Sequence, residues 1–212
     1  MKILNLYAGV GGNRRLWTGH DVTAVENHSP TAAAYAALFP DDKIMVCDAH
    51  LYLLNHYKEF DFIWSSPPCL THTQLRFGFC VVARGDKYEY PDLGLYQEII
   101  LLSSLYKGLW CVENVIPYYK YLIPPTVVIG RHAYWANFPI PPKTLIGNNN
   151  IYKPKHGEES ETKYHEKRLG FTLDGVTGIK KRVALHNCVE PCVGLYILNH
   201  ALKKENADVF ST

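Results

Sequence analysis

Between residues 1 and 115, short β-rich runs alternate with helical stretches, and this rhythm constrains the fold more than any other feature of the chain. Ile3–Ala8 is apolar and runs into Gly9-Val10-Gly11-Gly12. Val22–Glu26 is the next strand. Ser29 and Pro30 then open an alanine-rich helix to Leu38, the serine as N-cap and the proline in the first turn. Ile44–Cys47 and Phe60–Ser65 continue the rhythm, separated by Ala49–Tyr57. The long helix Leu93–Lys107 precedes a fifth strand, Trp110–Val115. Strands and helices at this spacing predict βαβ units, a parallel sheet and right-handed crossovers, hence an α/β fold. With 212 residues, 47% apolar and 13% aromatic, the chain fills one domain, or one with a small appendage.

Ligands of such sheets bind at the carboxyl ends of the strands. Gly9, Gly11 and Gly12, Glu26, Asp48, Pro67-Pro68-Cys69 and Glu113-Asn114 all fall at predicted strand ends, so five ends face one crevice. The glycine turn lets backbone approach a ligand, and the helix N-terminus beyond it favours an anionic group. Alone, the turn is equally what a plain tight turn shows, and it is not the dinucleotide fingerprint. Glu26 suits a ribose hydroxyl pair and Asp48 an adenine amino group; a solvated strand end is the other reading of each. Cys69, presented by two prolines at the crevice mouth, is a candidate nucleophile once its thiol is ionised. Cys47, Cys80, Cys111, Cys188 and Cys192 read as packing. The spacing of the ten histidines and six cysteines shows no paired metal ligands, so no metal is expected. Glu113 ends a buried strand, where desolvation raises a carboxyl pKa and makes a general acid.

The net charge of +2 conceals a polarity. Residues 141–182 carry nine basic side chains against five acidic ones, a basic segment suited to an anionic partner. That segment breaks the rhythm with Pro141-Pro142 and Asn148-Asn149-Asn150 and reads as a loop-rich insertion. Val193, Tyr196, Ile197, His200 and Ala201 then repeat at helical spacing within Pro191–Lys204. No run is apolar enough to span a membrane and the start does not resemble a secretory signal. The cysteines read as free thiols of a reducing compartment, the cytoplasm.

Taken in order, these motifs resemble the cytosine-5 DNA methyltransferases, in a small, orphan or phage-type form within a bacterial host. Leu4–Gly12 is similar to the family's first motif, with Tyr7 where phenylalanine is usual. Ser66-Pro67-Pro68-Cys69 resembles the catalytic Pro-Cys motif, and Glu113-Asn114-Val115 matches the Glu-Asn-Val triplet. His186–Pro191 resembles the late motif whose Asn187 helps close the cofactor pocket. Gly130–Phe138 resembles the arginine motif in its Trp-x-Asn version, but Arg131 is its one arginine and His132 stands on the other arginine position. Leu70 also replaces the glutamine common after the cysteine. The resemblance implies a Rossmann-like methyltransferase sheet that binds S-adenosylmethionine, with catalytic residues Cys69, Glu113 and Arg131. It implies cofactor contacts from Tyr7, Ala8, Gly9, Gly11, Gly12, Glu26, Asn27, Asp48, Ala49, Pro67 and Asn187. Residues 1–140 with 179–212 would form the catalytic domain, and 141–178 a very short target-recognition segment. Double-stranded DNA would be the substrate, met by Thr73, Arg76, Lys163, Lys167 and Arg168, with Lys153 and Lys155 as further phosphate contacts and Leu70–Pro91 as the mobile loop. The same motifs also suit an enzyme acting on RNA, or a non-catalytic DNA-binding relative. A cognate restriction enzyme is not inferable.

Overall fold

Seven strands join one sheet: β1 (Lys2–Leu6), β2 (Asp21–Val25), β3 (Lys43–Met45), β4 (Phe62–Ser65), β5 (Leu109–Val115), β6 (Val127–Ile129) and β7 (His132–Ala136). Six α-helices flank it: α1 (Ser29–Leu38), α2 (Ala49–His56), α3 (Gly94–Leu105), α4 (Glu161–Leu169), α5 (Lys181–His186) and α6 (Pro191–Val209). These elements come from a computed structural model describing residues 1–144 and 160–209, side chains of 206–209 excepted. The strand order is β3-β2-β1-β4-β5-β7-β6. The first five strands are mutually parallel, as the rhythm predicts, whereas β7 runs antiparallel to both β5 and β6.

The reversed strand has a local cause. Only Gly130 and Arg131 separate β6 from β7, and Gly130 adopts φ +61°, the left-handed conformation a two-residue hairpin needs at its first turn position. The hairpin pairs His132 with Val115 and Tyr134 with Glu113, which lays the turn beside the carboxyl end of β5. Arg131 reaches the functional edge in this way. The sequence rhythm contained no sign of β6 or β7, since no helix separates them from β5 or from each other.

Side chains alternate across the sheet. Leu4, Leu6, Ile63 and Val112 meet Leu53 of α2 and Leu95, Ile99 and Leu102 of α3 on one face. Ile3, Phe62, Trp64 and Tyr134 meet Trp17 and the Val193, Ile197 and Ala201 stripe of α6 on the other. The fully buried Leu102 stands for the scale of these contacts: truncation to alanine would cost about 2–5 kcal/mol. The far part of the expected insertion is not detached. Leu169, Phe171 and Leu173 share a core cluster with Val10, Ala34, Leu185 and Cys188. Lys153 and Lys155 lie outside the described residues, with the rest of 145–159. Leu70–Pro91, expected as a mobile loop, contains a π-helical stretch over Arg76–Ala83. It packs Phe77 flat against Tyr118, with centroids 4.1 Å apart. No helix among the described residues is long and apolar enough to cross a membrane, and the six cysteines are free thiols.

Candidate active site

At the end of β1 the chain turns sharply. Tyr7 takes φ +54° and Gly9 φ +55°, so two left-handed residues lie two positions apart. A Cβ on Gly9 would meet no atom within 4 Å, because this glycine opens onto a cavity. Gly11 and Gly12 are required by packing. A Cβ on Gly11 would strike Phe39 at 2.3 Å, and one on Gly12 would strike Cys188 Cβ at 2.6 Å. The amide of Gly9 donates to Glu26 Oε2 (3.0 Å) and that of His28 to Glu26 Oε1 (2.9 Å), which holds the Glu26 carboxylate at the end of β2.

The cavity has a volume of about 740 Å³, within the range of small-molecule sites. Tyr7, Ala8, Gly9, Gly12, Glu26, Pro67, Asn187, Cys69, Glu113, Arg131 and Thr73 all border it, so eleven residues singled out from sequence converge on one space. Gly11, Asn27, Asp48, Ala49, Arg76, Lys163, Lys167 and Arg168 are not in its wall. Each has another position. Asp48 caps α2, its Oδ1 accepting from the Leu51 amide at 2.8 Å, and Ala49 is buried in the core behind it. Asn27 is exposed. Arg76 pairs with Glu89 at 2.9 Å. Arg168 pairs with Glu190 and donates to the Leu185 carbonyl. Lys163 and Lys167 stand exposed on α4.

The catalytic candidates are set by neighbouring strand ends. Buried Asn114 on β5 donates to the Pro67 carbonyl (3.0 Å), tying the Pro-Pro-Cys loop after β4 to the strand that carries Glu113. Burial raises the Glu113 carboxyl from its ordinary value to about 7, against the opposing pull of the Ser66 hydroxyl and Arg131. At neutral pH this carboxyl therefore holds a proton about half the time. The Cys69 thiol is raised too, first by burial and then by the Glu113 charge, with Arg131 acting the other way. The two groups are linked: a protonated Glu113 removes one obstacle to the Cys69 thiolate. His132 lies 3.6 Å from Glu113 but is neutral, its pKa lowered to about 3 by burial and the nearby arginines. Arg131 is braced by His186, Nη1 against the ring Nε2 (3.1 Å) and Nη2 on the backbone carbonyl. Cys188 also borders the cavity, but its thiol donates to the Ala184 carbonyl and burial pushes it up to about 12. It stays neutral and packs.

Sequence reasoning overlooked Glu98. This carboxylate, 1% exposed on α3, accepts from the Tyr7 hydroxyl (2.5 Å) and from Ser65, with His50 at 3.4 Å. It thus links the turn after β1 to the strand before Cys69. The available signal was an acidic residue among Leu95, Tyr96 and Ile99 on a helix's apolar stripe, where an unpartnered carboxylate is not tolerated.

No family model matches the chain, and no curated protein matches it. Among solved structures, the methyltransferase EhMeth of Entamoeba histolytica is 12% identical over 96% of this chain and 98% of its own, with a TM-score of 0.53. A mutant DNMT2 from Spodoptera frugiperda is 22% identical over 54% of this chain and 35% of its own, with a TM-score of 0.39. A putative DNA modification methyltransferase encoded within an Escherichia coli prophage is 22% identical over 57% and 33%, with a TM-score of 0.36. The chain thus spans about a third of the length of these last two. The near full-length likeness to EhMeth, together with the strand order, gives the fold: an α/β, Rossmann-like methyltransferase sheet.

Proposed function

We propose that this chain is an S-adenosylmethionine-dependent DNA cytosine-5 methyltransferase that works through a covalent adduct of Cys69. One observation carries the reading: Cys69, Glu113 and Arg131 border the same cavity as the glycine turn and the held carboxylate of Glu26. The donor set fits the cofactor. Gly9 leaves room for close approach, and Glu26 offers a fixed acceptor for a pair of ribose hydroxyls, with Tyr7, Ala8, Pro67 and Asn187 around them. When bound, the cofactor supplies an electrophilic methyl group.

Cytosine C5 is a poor nucleophile. The Cys69 thiolate would bond to C6 as the C5–C6 π electrons shift toward C4 and N3, making C5 an enamine carbon. C5 would then take the methyl group of a bound cofactor, the sulfonium–methyl bond breaking so that the electron pair leaves on sulfur as a thioether. Glu113, holding a proton near neutral pH, donates it at the ring N3, where negative charge would otherwise collect. Water would then take the C5 proton as the C6–S bond breaks, which restores the C5–C6 double bond and releases the Cys69 thiolate, and N3 would return its proton to the Glu113 carboxylate. Arg131 favours the anionic forms of both Cys69 and Glu113, and its brace on His186 keeps it at the cavity wall. Since C5 is unreachable in a duplex, the base must turn out into the cavity. We assign residues 1–140 and 179–212 to this catalytic body and 141–178, with exposed Lys163 and Lys167, to target contacts. Thr73 belongs at the cavity mouth, and Arg76 and Arg168 reach phosphate only by leaving Glu89 and Glu190. Asp48, whose one oxygen caps α2, keeps the other for an adenine amino group.

The test is incubation of the protein with methyl-labelled cofactor and, in parallel, unmodified genomic DNA and total RNA. Sequencing that distinguishes 5-methylcytosine follows. Label at cytosine C5 in DNA supports the reading. Label only in RNA would transfer the same chemistry to the other substrate, and label in neither would overturn it.

A further inference from the structure

Glu161 and His165 lie one turn apart on α4, and His186 ends α5 opposite them. One ligand atom from each falls within 4.8 Å of the other two. His165 is 4% exposed, yet neither ring nitrogen has a hydrogen-bond partner among the described residues. Its Nε2 lies 4.0 Å from Glu161 Oε1, and its ring meets the His186 ring edge-on at 5.7 Å. A buried imidazole with both nitrogens unbonded calls for a partner that none of the described residues supplies.

We propose that Glu161, His165 and His186 bind a divalent cation of the zinc class, which pins α4 to α5. One carboxylate oxygen and two imidazole nitrogens suit zinc, cobalt or nickel, and not the all-oxygen shells of calcium or magnesium. The pair at i and i+4 on one helix face is a common two-ligand arrangement. Bonds of about 2.0–2.2 Å draw the ligand atoms closer than they now stand, which side-chain rotation accomplishes. The sequence reading expected no metal because it compared spacings along the chain, whereas His186 arrives from another helix.

The surroundings set the strength of the site. Arg182 Nη1 is 3.6 Å from the same Glu161 oxygen, but this arginine is 61% exposed and can turn to water. Arg168 is neutralised by Glu190. Arg131 is the real competitor. A guanidinium only donates, so its Nη1 uses the one lone pair of a neutral His186 ring. An ion on either ring nitrogen therefore displaces Nη1, while Nη2 keeps the His186 carbonyl. Metal binding therefore competes with this hydrogen bond, and occupancy frees one arm of a residue on the cavity wall.

The experiment is a titration of the full chain with Co²⁺, read by visible absorption and by equilibrium dialysis with metal analysis. One Co²⁺ per chain is expected, with tetrahedral d–d bands, no thiolate charge-transfer band, and displacement by Zn²⁺. Glu161→Gln should weaken binding at least tenfold and His165→Asn should abolish it, while Lys163→Ala on the same helix leaves it unchanged. Absence of saturable one-to-one binding, a thiolate band, or variants that bind like the original chain would overturn the proposal. Should His165→Asn lose its circular-dichroism signature, Glu161→Gln decides alone, because that side chain is 25% exposed and its replacement leaves the core intact. None of these readouts depends on methyl transfer.

Discussion

Replacing Glu113 by glutamine should make the protein more stable above neutral pH and much slower as a catalyst. The carboxyl titrates near 4.5 in an unfolded chain and at about 7 in the fold. Between these values the folded state holds a proton that the unfolded state has released, so stability falls as pH rises through that window. Each pH unit is worth about 1.4 kcal/mol, hence the ionised carboxylate costs the fold about 3 kcal/mol above neutrality. Glutamine has the same shape, still accepts from Ser66, and never ionises. Glu113→Gln should therefore exceed the original chain by up to about 3 kcal/mol at about pH 8, and the gap should close as pH falls toward about 5. Urea unfolding of both proteins at four pH values measures this directly, because groups common to both cancel in the difference. A stability difference independent of pH, or one that favours the original chain as pH rises, would refute the buried-carboxyl account. In methyl transfer the same variant should lose roughly 10²–10⁴-fold in rate, the usual contribution of a general acid.

Cys69→Ser should retain cofactor binding and lose turnover to below about 1% of the original, and only the cysteine form should give a denaturant-resistant complex with DNA bearing 5-fluorocytosine. Glu26→Ala and Asp48→Ala should behave differently in a thermal-shift assay. The first should largely lose stabilisation by S-adenosylmethionine, whereas the second should weaken that stabilisation and also destabilise the free protein by about 1 kcal/mol through loss of the α2 cap. An unchanged cofactor shift in Glu26→Ala would place the ribose contact elsewhere. Neutralising Lys163 and Lys167 together should weaken binding to all DNA sequences alike and lower the salt slope by roughly 1–2. Gel-shift titrations over a range of salt check this, and a loss confined to one sequence would contradict it.

Much of this molecule was legible in the sequence because periodicity reports burial. The five parallel strands, α1 and the α6 stripe follow from runs of apolar residues that the sheet buries on both faces. The cavity was legible because strand ends are where polar residues must appear in such a fold, and Cys69, Glu113 and Glu26 converge there. What escaped depends on contacts distant in sequence. The β6–β7 hairpin follows β5 with no intervening helix and has one glycine as its signal. Glu98 is visible only as a misfit on a helix face. The capping role of Asp48 also escaped, since the same strand end starts a helix. Arg168 belongs to a basic segment by composition, but its charge is taken up by Glu190, which follows twenty-two residues later.

The covering of one face of the sheet by α6 also bears on how the chain is made. Ile3 and Trp17 are translated long before Val193, Ile197 and Ala201, which share their core cluster and come last among the elements described. Throughout elongation this side of the nascent sheet, including Phe62 and Trp64, remains bare, and contacts of such long sequence separation form slowly. Premature termination before Pro191 would leave a wide aromatic surface open to chaperones and proteases.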